Sequence, residues 1–144
     1  MFNPSREQAR QFLIESRRKR RDRLPATPLE TMAGDVIALH PEYLAMLDAA
    51  DQSLERDWSP DNGETNPFLH LSLHLAIEEQ LSINQPHGIV AAFDKLLAKR
   101  GNRHEALHAV LDCLGETLWR SQRDKVPLDS NTYLELLQGA AHRG

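Results

Sequence analysis

The sequence predicts an all-α protein, a single-domain helical bundle of six to seven short helices. Three observations carry that expectation. Alternating Val/Ile/Thr runs that would mark strands are almost absent. Apolar residues recur at spacings of three and four, the period of one helix face. Helix start and stop signals punctuate the chain at short intervals.

The elements follow in order. Ser5 with Gln8 makes a capping box ahead of Ala9, Phe12 and Leu13, and that helix runs to Arg23 before Pro25. Thr27-Pro28-Leu29-Glu30 is a second start: a hydroxyl cap, a proline at the first helical position and a glutamate at the third. Leu29, Met32, Ala33, Val36 and Ile37 then repeat at helical spacing. Pro41 opens a short helix with Tyr43, Leu44 and Leu47 on one side, and residues 51–65 read as a loop around Ser59-Pro60-Asp61-Asn62-Gly63. Asn66-Pro67 starts a helix that ends near Ile83. Asn84 to Gly88 breaks the chain, and Ile89, Val90, Phe93, Leu96 and Leu97 mark the next helix. Gly101 closes that helix, and Asn102 caps another with Glu105 at the third position, running to about Arg123. After Pro127, Asp129 or Ser130 caps a last helix with Leu134 and Leu137. One domain is expected over 1–144, with a basic N-terminal helix at 1–24 and the bundle core at 27–142.

Composition bounds the function classes. The 144 residues are 40% hydrophobic and 26% charged, an ordinary globular balance. No apolar run approaches the roughly 20 residues of a membrane-spanning helix, and the first residues lack the apolar core of a signal peptide. The single cysteine, Cys113, excludes an internal disulfide and fits a reducing cytoplasm, where it reads as core filler. Net charge is −4, unevenly spread: residues 1–23 hold eight bases and three acids. A basic face for an acidic partner is one reading of this asymmetry.

The helix near 67–83 holds the most informative residues. At about 100° per residue, Ser72 and Glu79 fall together on one side, and His70, His74 and Glu78 lie nearly opposite, flanked by Leu71, Ile77 and Leu81. Ionisable side chains on an apolar face are costly unless paired or ligated. His104 and His108 form a second pair at i, i+4, on the edge of the stripe of Leu107, Leu111, Leu114 and Leu118, with Gly115 on the same line to admit a backbone or ligand. Two helices offering such pairs can build a metal site between them. Imidazole with a carboxylate suits a divalent zinc or iron ion, in the manner of histidine-rich hemerythrin-like or DinB-like helical proteins. His70, His74, Glu78, His104 and His108 are therefore the expected ligands. The competing reading is a structural protein whose buried histidines and Glu78 satisfy one another by hydrogen bonds.

His104-Glu105-Ala106-Leu107-His108 also matches a zinc-peptidase pattern, but Glu105 stands where the cap after Asn102 needs it and points away from the leucine stripe. A ferritin-like di-iron site needs two Glu-x-x-His motifs, and only Glu105 to His108 supplies one. His40, before Pro41, reads as a helix-end cap, and His87 and His142 as loop or terminal residues.

Arg17, Arg18, Lys19, Arg20 and Arg21 extend the first helix. One reading is a non-enzymatic binding module that contacts nucleic acid or an acidic protein. No aromatic is interleaved, and the rest of the chain is acidic. The alternatives are docking of this helix on the chain's own acids, or a solvated face.

Several segments taken together resemble one bacterial family, catalogued as domain of unknown function 1841. They are His40-Pro41-Glu42-Tyr43, Leu54-Glu55-Arg56-Asp57, Thr65-Asn66-Pro67-Phe68-Leu69-His70-Leu71-Ser72-Leu73-His74 continuing to Gln80, His104-Glu105-Ala106, and Cys113-Leu114-Gly115-Glu116. The resemblance runs nearly end to end and implies no activity, because the family carries none. Members often carry a histidine after Pro-Glu-Tyr, where this chain has Leu44, and Glu79 stands where an arginine is expected.

Overall fold

Most of the helices begin where a side chain can satisfy the unpaired N–H groups of the first turn, as at Thr27, Asn66, Asn102 and Asp129. In the computed structural model, which describes residues 6–49, 56 and 66–142, those signals set the element boundaries. Seven α-helices are present among the described residues: α1 (Arg6–Arg21), α2 (Pro28–Ala38), α3 (Leu44–Asp48), α4 (Pro67–Ile83), α5 (Ile89–Arg100), α6 (Arg103–Asp124) and α7 (Ser130–His142). A 3-10 turn, Pro41–Tyr43, precedes α3. No strand occurs among these residues, and no helix is long and apolar enough to cross a membrane. The all-α expectation is met. The Ser5 cap and most of the 51–65 loop lie outside the described residues.

The chain forms two compact units, Met1–Leu75 and Ala76–Gly144. The division falls inside α4.

In the first unit α2 starts as its sequence dictates. The Thr27 hydroxyl accepts from the Glu30 N–H at 3.1 Å, and the Glu30 carboxylate accepts from the Thr27 N–H at 2.9 Å. Leu13 and Ile14 of α1, Ala33, Val36 and Ile37 of α2, Leu47 of α3 and Phe68, Leu71 and Leu75 of α4 form one buried apolar cluster. At roughly 25 cal/mol per Å² of apolar surface, such burial is the main favourable term. Arg10 is buried with them. Its guanidinium lies 4.8 Å from the centre of the Phe68 ring and donates to the Arg56 carbonyl at 2.7 Å.

The basic run of α1 is neutralised by the unit's own acids. Arg17 pairs with Asp48 at 3.1 Å, Arg18 with Glu15 at 2.8 Å, Lys19 with Glu30 at 2.8 Å and Arg20 with Asp35 at 2.6 Å. Arg21 reaches both Asp22 and Asp48, each at 3.1 Å. Gly34 makes room for this layer: a Cβ there would sit 3.0 Å from Nη1 of Arg20 and 3.1 Å from its Cδ. Of the readings open for the N-terminal helix, docking on the chain's own acids describes the geometry.

In the second unit α5, α6 and α7 pack on one another around Ile89, Phe93, Leu96, Leu107, Val110, Leu114, Tyr133 and Leu137. Asn102 caps α6 through the Glu105 N–H at 3.2 Å, and Gly101 closes α5 with φ +70°. Asp129 caps α7 by accepting from the Asn131 N–H at 3.0 Å. The Tyr133 hydroxyl donates to Gln80 Oε1 at 2.8 Å, fixing α7 to the last turns of α4. Burial pushes the Tyr133 phenol well above its ordinary range. Cys113 is buried in this core, as its sequence setting implies.

Thr27→Ala is expected to cost about 1 kcal/mol of unfolding free energy, read as a lower denaturant midpoint at unchanged slope. The Lys19 bond, and then the Thr27 backbone N–H, hold the Glu30 carboxyl below its ordinary value of 4.5. A lowered folded-state value means that its stabilisation is complete above pH 4.5 and is lost as pH falls through the lowered value. Glu30→Gln should therefore flatten the acid limb of the stability–pH curve and leave the curve's shape above pH 6 unchanged.

Candidate metal centre

The site is built at the C-terminal end of α2. Ala33, Val36 and Ile37 form the buried stripe of that helix, and His40 continues it by one more turn, at i+4 from Val36. The helix closes at Leu39, whose N–H bonds to Val36 O at 3.1 Å. His40 is 2% exposed, so both ring nitrogens need partners. Nδ1 lies 2.8 Å from the Val36 carbonyl, and Nε2 lies 3.0 Å from Nε2 of His70.

A carbonyl oxygen can only accept, so Nδ1 of His40 carries the proton and donates it to Val36. In the neutral ring Nε2 then holds the lone pair, and His70 donates to it through its own Nε2. One tautomer is thereby selected at each ring. A backbone carbonyl on the far nitrogen is the usual means of aiming an imidazole lone pair at a metal.

The third ring is His74, one turn after His70 on α4 and fully buried. Ring centres lie 4.8 Å apart for His40–His70, 5.1 Å for His40–His74 and 6.3 Å for His70–His74, with interplanar angles of 76°, 90° and 76°. The rings stand edge to face, and one nitrogen of each lies within 4.8 Å of those of the other two. Tyr43, from the 3-10 turn, stacks on His40 at 5.5 Å and meets the edge of His70 at 5.9 Å. Burial raises its phenol above the usual value, and the charge of Glu42 adds to the effect.

A metal fits this arrangement. Zinc held at 2.0–2.1 Å by two imidazoles in a tetrahedron separates the nitrogens by about 3.3 Å. The Nε2 atoms of His40 and His70 are already at 3.0 Å, and an ion between them requires the His70 proton to move from Nε2 to Nδ1.

Of the ligands expected from the sequence, His70 and His74 come together, with His70 half-buried and His74 fully enclosed. Glu78 is half-buried and held by Arg103, Oε1 at 2.9 Å and Oε2 at 3.1 Å, while the same guanidinium lies over the Phe93 ring at 5.8 Å. His104 and His108 lie in the second unit, both half-buried, with ring centres 4.1 Å apart. Gly115 does not bring a backbone near: a Cβ there would meet nothing within 4 Å among the described residues. His40 was expected as a helix-end cap. It does cap a carbonyl of α2, and it also joins His70 and His74. Its signal was present in the sequence, since position 40 extends the 33, 36, 37 stripe by a turn. Tyr43 carried no comparable signal.

The family model for domain of unknown function 1841 matches residues 5–139. The chain belongs to the DUF1841 family. The match spans the histidine cluster as well as both units, so the segments that carried the resemblance lie inside it. No curated protein and no solved structure matches this DUF1841 chain.

Nitrogen-15 spectra of the metal-free DUF1841 protein at neutral pH should show His40 with its proton on Nδ1. An Nε2–H tautomer at this residue would contradict the Val36 contact and remove the argument for an aimed lone pair.

Proposed function

We propose that this protein binds a divalent metal ion, zinc before iron, through His40, His70 and His74. One observation carries the reading: three edge-to-face imidazoles converge at the end of α2, with one of them locked by Val36 into the tautomer that offers Nε2. Three neutral nitrogens leave the ion's double charge intact and leave room for a further ligand, as zinc sites with three histidines do. With no carboxylate in this set, the balance tips from iron toward zinc. Glu78 drops from the ligand set because Arg103 engages both of its oxygens. The setting proposed is a bacterial cytoplasm, in keeping with the single buried cysteine.

The competing reading is a metal-free hydrogen-bonded network that only stabilises the first unit. It already accounts for the His40–Val36 and His40–His70 contacts, so mutation alone does not separate the two. Removing a buried partner destabilises in either case, by about 1–3 kcal/mol.

Chelation separates them, because an ion bound only to the folded state adds to unfolding free energy. Protein purified without a histidine tag should carry close to one equivalent of zinc by elemental analysis. At a hundredfold excess of free ion over Kd the gain is about 2.7 kcal/mol, so a strong chelator should lower the Tm by several degrees. His40→Ala and His74→Ala should each abolish both the metal content and the chelator effect. Protein that takes up no metal, with a Tm indifferent to chelator and to added zinc, establishes the network reading instead. The same series tests the ligands expected on α6. If His104→Gln or His108→Gln loses metal, that residue joins the set. If both retain it, binding is confined to the first unit.

A further inference from the structure

The second unit holds bases that neither the histidine cluster nor the ion-paired face of α1 uses. The C-terminal halves of α5 and α7 border a concavity of about 590 Å³, within the usual range of small-molecule sites. Lys95 and Lys99 line it from α5, and Gln138 and His142 from α7, each pair spaced i, i+4 so that both members share a face. Ala98 and Ala141 complete the lining. Among the described residues no carboxylate lines it.

The five consecutive bases of α1, Arg17 to Arg21, each meet a carboxylate at 3.1 Å or less. Among the described residues, Lys95, Lys99 and Gln138 make no ion pair and no side-chain hydrogen bond. Two ammonium groups one turn apart repel by a few tenths of a kcal/mol, and no ion pair among the described residues offsets this. A lysine in the last turn of a helix can serve the helix dipole. That accounts for Lys99, which lies in the last turn of α5, but not for Lys95, which precedes it by a turn.

We infer that this groove binds a small organic anion. A single carboxylate or phosphate group sits between the two ammoniums and takes a further hydrogen bond from the Gln138 amide, while a short apolar body rests on Ala98 and Ala141. The size of the concavity and the two lysines set the scale at one anionic group. An extended nucleic-acid backbone is disfavoured: no Phe, Tyr or Trp among the described residues lines the groove to stack a base, and two lysines match one anionic group rather than a row of phosphates.

The test uses the full chain, labelled with nitrogen-15, at low ionic strength. Acetate, hexanoate and hexyl phosphate are titrated separately. Saturable shifts should be confined to the amides of residues 95–99 and 138–142. Hexanoate should reach half-saturation at a several-fold lower concentration than acetate, because only hexanoate covers the alanines. Hexanoate against hexyl phosphate shows which of the two headgroups is preferred. The Lys95→Gln, Lys99→Gln double variant, altered only at exposed positions, should weaken binding by about tenfold or more, and Lys125→Gln should leave it unchanged. The inference is overturned if acetate and hexanoate bind alike, if the shifts scatter over all basic residues, or if the double variant binds as the parent does.

Discussion

A neutral imidazole tolerates burial only if one ring nitrogen finds an acceptor and the other a donor or a metal. His40 meets that condition at the end of α2, and the first unit is arranged around it. The helix closes at Leu39, where the Val36 carbonyl still has a lone pair to offer. Pro41 then turns the chain so that Tyr43 comes back against the ring. The start of α4 is fixed by Asn66, whose side chain accepts from the N–H groups of Phe68 and Leu69, and that start sets the register bringing His70 and His74 to the same place. Phe68, Leu71 and Leu75 on the same helix enter the apolar cluster, so the packing that stabilises the unit also positions the two rings. An apolar residue at position 40 would give up both the Val36 and the His70 contacts, and could not define which nitrogen of His70 carries a proton.

The fold was legible in the sequence to within a residue or two wherever capping chemistry was explicit. Thr27-Pro28, Asn66-Pro67, Gly101-Asn102 and Asp129-Ser130 each mark a helix boundary that local hydrogen bonding decides. The end of α1 was read two residues too late, because charged residues up to Arg23 give no signal for where the turn begins. Arg23 takes φ +56° there, and a left-handed residue of this kind is invisible without a glycine to announce it.

The site was only half legible. The wheel of α4 places His70 and His74 on one face because it compares residues on one rigid element. Glu78 shares that wheel line but not that fate, since Arg103, far away in sequence, takes its carboxylate. Which side chains from different helices meet is a property of tertiary packing, and no periodicity encodes it. The pairing of α1 with Glu30, Asp35 and Asp48 was out of reach for the same reason. The sequence offered docking on the chain's own acids as one reading, without saying which acids.

That pairing makes the cationic character of the N-terminus a property of the unfolded chain. A nascent or misfolded polypeptide carries eight bases against three acids in its first 23 residues, with Glu30, Asp35 and Asp48 not yet brought alongside. Such a segment offers its charges to polyanions, and folding sets them beside Glu30, Asp35 and Asp48. Asp48 holds Arg17 and Arg21 together, so an uncharged residue at that position releases Arg17 and leaves Arg21 with Asp22. The charge that the first 23 residues display before folding is thus set against the unit's own carboxylates once α2 and α3 have docked.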